Sequence, residues 1–73
     1  MYLTAIVEEQ GDGFVALCPE FDVCSQGGSV EEAAENLREA MELFLECAGP
    51  EEVAGRLKRR VFITHFEVEV GEA

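Results

Sequence analysis

Positive charge is scarce in this chain: Lys and Arg number 5 against 16 Asp and Glu, a formal net charge of −11 over 73 residues. Such a surface repels nucleic-acid phosphates and steers basic partners. Long apolar runs are missing too, so no segment has the length of a membrane span. The N-terminus has no basic stretch followed by an apolar core, which argues against a secretory signal and points to a cytoplasmic protein. Cysteine is sparse and odd in number. Cys18, Cys24 and Cys47 do not make the even framework of a disulfide-stapled domain. They read as small buried hydrophobes, and the Cys18 to Cys24 spacing does not match a zinc knuckle.

Catalytic groups are equally thin. His65 is the only histidine, so no nucleophile–base–acid set can be assembled around a second one. Ser25 and Ser29 have turn and capping roles. Gly27 and Gly28 precede a helix but lack the longer glycine pattern and the lysine of a phosphate loop. Glu31 and Glu32 already occupy the field that would attract an anion there. Glu8, Asp12, Glu20 and Asp22 could gather at one end of a sheet, but their spacing does not demand a divalent cation. No catalytic residue, metal ligand or cofactor is expected, and the chain does not read as an enzyme.

What is present begins with Ser29 to Ala48. Val30, Ala33, Ala34, Leu37, Ala40, Met41, Phe44, Leu45 and Ala48 recur at helical steps and form one apolar stripe. Glu31, Glu32, Glu35, Glu39, Glu42 and Glu46 fall largely on the opposite face. Ser29 and Glu32 make a capping box, in which the Ser29 hydroxyl takes the Glu32 amide and the Glu32 carboxylate reaches back to the Ser29 amide. Gly27 and Gly28 suit the tight turn before it.

Alternation marks the strands. Tyr2 to Glu8 is read as the first, with apolar residues on both faces, which suggests an interior strand or a sheet whose second face is also covered. Gln10 to Gly13 is a hairpin turn. Phe14 to Cys18 returns, with Phe14, Ala16 and Cys18 on one face and Val15 and Leu17 on the other. Pro19 ends that ladder, and Phe21 in the following connection folds back over a sheet edge. Val23 to Gln26 is a short edge strand. After the main helix, Gly49 stops it and Pro50 opens a second, short helix, with Glu51 and Glu52 at its positive end and Arg56 to Arg60 at its negative end. Val53 and Leu57 offer that helix an apolar anchor. Val61 to Val70 is the last strand: Phe62, Thr64, Phe66, Val68 and Val70 share one face, and Val61, Ile63, His65, Glu67 and Glu69 the other.

One domain spanning residues 1–73 follows from this length. The expected class is α+β, in the order β-β-β-α-β with a short helix before the final strand. The right-handed crossing rule puts the last strand beside and parallel to the first, giving one mixed four-stranded sheet of order 3-2-1-4. The long helix packs on one face of that sheet. The other face, left without a helix, or an edge strand, is the expected surface of a homodimer or higher assembly.

The runs Gly13-Phe14-Val15-Ala16, Cys18-Pro19-Glu20-Phe21 and Cys24 through Ala33 resemble the signature of the HicB-type antitoxin family, and the match continues through Asn36, Glu39 and Ala40. The chain departs from that pattern at Val23, where the family usually has glycine, and at Gly28, where it usually has an acid. The resemblance covers roughly Tyr2 to Leu45. It implies a partial ribonuclease-H-like fold without the nuclease's carboxylates, and a role in binding and silencing a small basic ribonuclease toxin. No C-terminal DNA-binding module follows, so no direct DNA binding is expected. On this reading Glu35, Glu39, Glu42 and Glu46 would steer the basic toxin. The alternative is a stand-alone, self-associating small protein without enzyme activity.

Overall fold

In the computed structural model, which describes residues 1–57 and 60–71, a hairpin and a third strand precede two helices. The elements are β1 (Ile6–Gln10), β2 (Gly13–Cys18), β3 (Val23–Gly27), α1 (Val30–Cys47) and α2 (Pro50–Leu57). The sheet is antiparallel throughout, in the order β1-β2-β3. The expected mixed four-stranded sheet of order 3-2-1-4, and with it the ribonuclease-H-like architecture, is therefore corrected. Two changes cause it. The first strand begins at Ile6 instead of Tyr2, and it is an edge strand instead of an interior one. Residues 60–71, which include the segment read as the last strand, pair with no strand among the described residues.

The hairpin turns on two residues, Gly11 and Asp12, because Gln10 pairs directly with Gly13. Gly11 has φ +59 while Asp12 stays in the ordinary negative range. A glycine with positive φ in the first loop position is the type II′ arrangement, whose twist matches that of the strands. The β2–β3 connection needs one more left-handed residue, and Asp22 supplies it at φ 56. Aspartate is among the few non-glycine residues that tolerate this region.

Register places Val7, Phe14, Ala16, Cys18 and Val23 on the face toward α1. Ala16, Cys18, Phe21, Ala33, Leu37 and Met41 are buried and form the core. Phe21 folds in from the β2–β3 connection and meets Phe44 edge-on, with ring centroids 5.6 Å apart at 62°. Arg56 of α2 closes over this pair: it donates to the Phe21 carbonyl and its guanidinium stands 5.5 Å from the Phe44 ring centre. Val53 packs on the core from the same helix, while Leu57 is largely exposed. Lys58 and Arg59 of the expected basic cluster lie outside the described residues.

The start of α1 is pressed against the end of β3. A Cβ on Gly27 would stand 2.6 Å from the Ala33 amide nitrogen, so only glycine permits this approach. Asn36 Nδ2 donates to the Gln26 carbonyl at 2.8 Å, one turn further along. Ser29 Oγ accepts the Glu32 amide at 3.0 Å. The Glu32 carboxylate reaches one residue beyond the expected Ser29 amide and takes the Gly28 amide at 2.6 Å. These ties seat α1 mainly over β3 and β2 and leave it scarcely touching β1.

Of the three cysteines only Cys18 is buried; Cys24 and Cys47 are exposed free thiols. The reading of all three as interior hydrophobes is corrected by two. Cys24 pairs with Leu17 and so points to the sheet face away from α1, and Cys47 is the exposed last residue of α1.

Candidate functional site

Because α1 leans toward β3, the β1 side of the sheet stays open. An apolar groove of about 370 Å³ runs there, between the segment just before β1 and the helix. Leu3 and Ala5 form one wall, and Ala34, Leu37, Met41 and Leu45 form the other. Arg38 and Glu42 stand at its rim. The helical spacing of the second wall is the signal the sequence carried: the apolar stripe of α1 is wider than the strands beneath it.

The groove's first wall is held by a polar clasp. Glu20 accepts the Thr4 hydroxyl at 2.6 Å and the Thr4 amide at 3.2 Å, tying the N-terminal segment to the β2–β3 connection. Partial burial would raise the Glu20 carboxyl, but the Thr4 hydrogen bonds outweigh it and hold the group below its ordinary value. Cys18 also donates to Glu20, at 3.5 Å. Burial, reinforced by that carboxylate, pushes the Cys18 thiol up, against the lowering effect of the Phe21 amide, and keeps it protonated and unreactive. Neither Thr4 nor Glu20 was marked by sequence spacing, since they lie 16 residues apart.

Glu35, Glu39, Glu42 and Glu46 are all exposed on α1. The structure spreads them around one strong cation. Arg38 pairs with Glu35 one turn before and with Glu42 at 3.0 Å one turn after. The Arg38 hydrogen bond lowers the Glu35 carboxyl, and the two glutamates raise the guanidinium. Such exposed, solvent-screened pairs contribute little to stability. Glu39 and Glu46 have no ion-pair partner among the described residues.

Glu8, Asp12, Glu20 and Asp22 do not converge. Among the described residues no group of three His, Cys, Asp or Glu side chains is placed to hold a metal ion. His65 is exposed in the C-terminal segment. No described helix is long and apolar enough to cross a membrane.

That segment is the second feature of note. Phe62, Ile63, Phe66, Val68 and Val70 are 78, 51, 82, 65 and 90 % exposed. The radius of gyration is 15.3 Å, where a compact chain of this length has about 11 Å. The excess comes with residues 62–71 standing clear of the body, all of them exposed.

A UPF0150 protein of Helicobacter pylori (strain J99) is 36% identical over 69 residues, 93% of this chain and 96% of the relative. The chain belongs to the UPF0150 family. A second member, UPF0150 protein ssr1765 of Synechocystis (strain PCC 6803), is 41% identical over 46 residues, covering 62% of this chain and 58% of that protein. No family profile and no solved structure matches the chain. The antitoxin identity suggested by the HicB-type resemblance is corrected accordingly. The relatives are UPF0150 proteins, and among the described residues no fourth strand joins the sheet.

Proposed function

We propose that this UPF0150 protein is a non-enzymatic, self-associating module that acts in the cytoplasm through protein contacts. The observation that carries this reading is the row of large apolar side chains exposed along residues 62–70. Contiguous apolar surface of that kind marks an interaction site on a protein that is otherwise well solubilised. Burying it removes apolar area from water at roughly 25 cal/mol per Å². Light scattering of the purified chain from low to high micromolar concentration tests this. The expected result is a mass that rises to two copies or more. A mass that stays monomeric throughout removes the reading.

A second partner class is favoured by the acidic face of α1. Glu39 and Glu46 have no ion-pair partner among the described residues, and the one arginine on this face, Arg38, is already paired with Glu35 and Glu42, so a cationic protein surface is the complementary partner. Calorimetric titration at low salt with a small basic protein as probe tests it. Heat that vanishes when the four glutamates are reversed to lysine supports the contact, and no heat with the wild-type chain removes it.

A further inference from the structure

The open β1 edge, the groove beside it and the exposed C-terminal segment are complementary, and each copy of the chain carries all three. We infer that residues 61–70 of one copy lie along β1 of a second copy and set their apolar row into its groove, with the exchange made reciprocally. This rests on the self-association proposed above and names its surface.

Three observations support the second copy as the occupant. The first is hydrogen bonding. β1 pairs only with β2, so its outer backbone groups have no strand partner among the described residues. An unpaired edge is a template for an added strand. The second is side-chain pattern. Phe62, Phe66, Val68 and Val70 share one face with Thr64, while the other face is apolar at Val61 and Ile63 and polar from His65 onward, so an added strand turns the Phe62–Val70 row inward and keeps Glu67 and Glu69 in water. The groove walls of Leu3, Leu37, Met41 and Leu45 offer that row apolar contact where α1 overhangs no strand. The third is reach. Ten extended residues span about 33 Å, enough to run past the whole of β1 and the segment before it. Reciprocal exchange closes both edges under twofold symmetry and leaves no third open edge at this surface.

Charge opposes the union, since each copy carries a net −11. Screening of that repulsion gives the association a signature: it tightens as ionic strength rises.

The test uses the full chain. In sedimentation velocity the wild-type chain should form a dimer that strengthens with salt. Phe66→Asp, at a position 82 % exposed in the single chain, should keep its far-UV spectrum and raise the dimer dissociation constant at least tenfold. A second measurement reads the contact directly. Isotope-labelled chain is mixed with unlabelled chain bearing a nitroxide at Phe66→Cys, in a Cys24→Ser and Cys47→Ser background. Broadening of the labelled Leu3, Ala34 and Met41 amides places the segment of one copy in the groove of the other. If the dimer forms but these amides stay sharp and Phe66→Asp dimerises normally, self-association stands and the strand exchange falls. If a copy's own nitroxide broadens its own groove in isolated monomer, the segment folds back on itself and the inference falls. A chain that stays monomeric at every concentration and salt removes both.

Discussion

The helix α1 and the C-terminal segment carry equally regular apolar patterns, yet only one of them is settled within the single chain. The helix repeats apolar side chains at steps of three and four; the segment repeats them at steps of two. A helix satisfies its own backbone hydrogen bonds, so once it is capped it needs a neighbour only for its stripe. α1 has its cap at Ser29 and finds β3 and β2 beneath it. A strand satisfies none of its hydrogen bonds alone. Its pattern says that it fits a sheet and does not say whose. The contrast teaches that periodicity specifies an element's partner class for a helix and only half of it for a strand.

The largest test of this contrast is Leu37→Asp. Leu37 is 4 % exposed in the core of the helix–sheet body, and an unpaired carboxylate there costs on the order of 4 kcal/mol or more. That is comparable with the whole stability of so small a domain. The far-UV signal should be that of an unfolded chain at room temperature; a normal melt would break the assignment of α1 as the organising element. Gly27→Ala is next. The Ala33 amide nitrogen, 2.6 Å from the new Cβ, is backbone and cannot swing aside, so the helix must shift off β3 at a cost of about 1–3 kcal/mol. Thermal melts should fall accordingly, and an unchanged melting temperature would show that the seating of α1 is loose.

Thr4→Val is smaller and depends on pH. The folded state holds the Glu20 carboxyl below its ordinary 4.5 through the Thr4 bonds. A depressed carboxylate adds stability that is fully present above the unfolded value and is lost as pH falls through the folded one. Replacing the hydroxyl should therefore cost on the order of 1 kcal/mol at neutral pH and progressively less as pH falls through the lowered value of the folded Glu20 carboxyl. Equal destabilisation at pH 7 and pH 3 would show that Glu20 is not the partner that matters. The smallest effect is expected in the C-terminal segment. Phe66→Ser in dilute solution should move the melting free energy by less than about 0.5 kcal/mol, because Phe66 is already 82 % exposed in the folded chain. A large loss there would erase the distinction between the two regions.

Several parts of the molecule were legible from residues alone because the physics is local. Ser29 caps the helix three residues ahead of Glu32, Pro50 opens α2 where a missing amide costs nothing, and Gly49 sits where α1 has ended. Phe21 was legible as a fold-back because so large an apolar ring in a turn has one way to leave water, and it is 1 % exposed. The candidate site was less so. The groove depends on the lateral placement of α1, which Gly27 and Asn36 decide through contacts with the end of β3. Cys24 and Cys47 were misread because composition carries no sign of where a small residue ends up, and both are exposed.

The order of elements through α2, the faces of β2 and the cap of α1 were determined by the sequence by itself, since each rests on interactions within a few residues. The tertiary structure alone decided that β1 is an edge, that α1 leaves a groove beside it, and that residues 61–70 pair with no strand among the described residues. Those outcomes depend on which surfaces meet across the fold, and backbone hydrogen bonds between strands are blind to the side chains that would announce them.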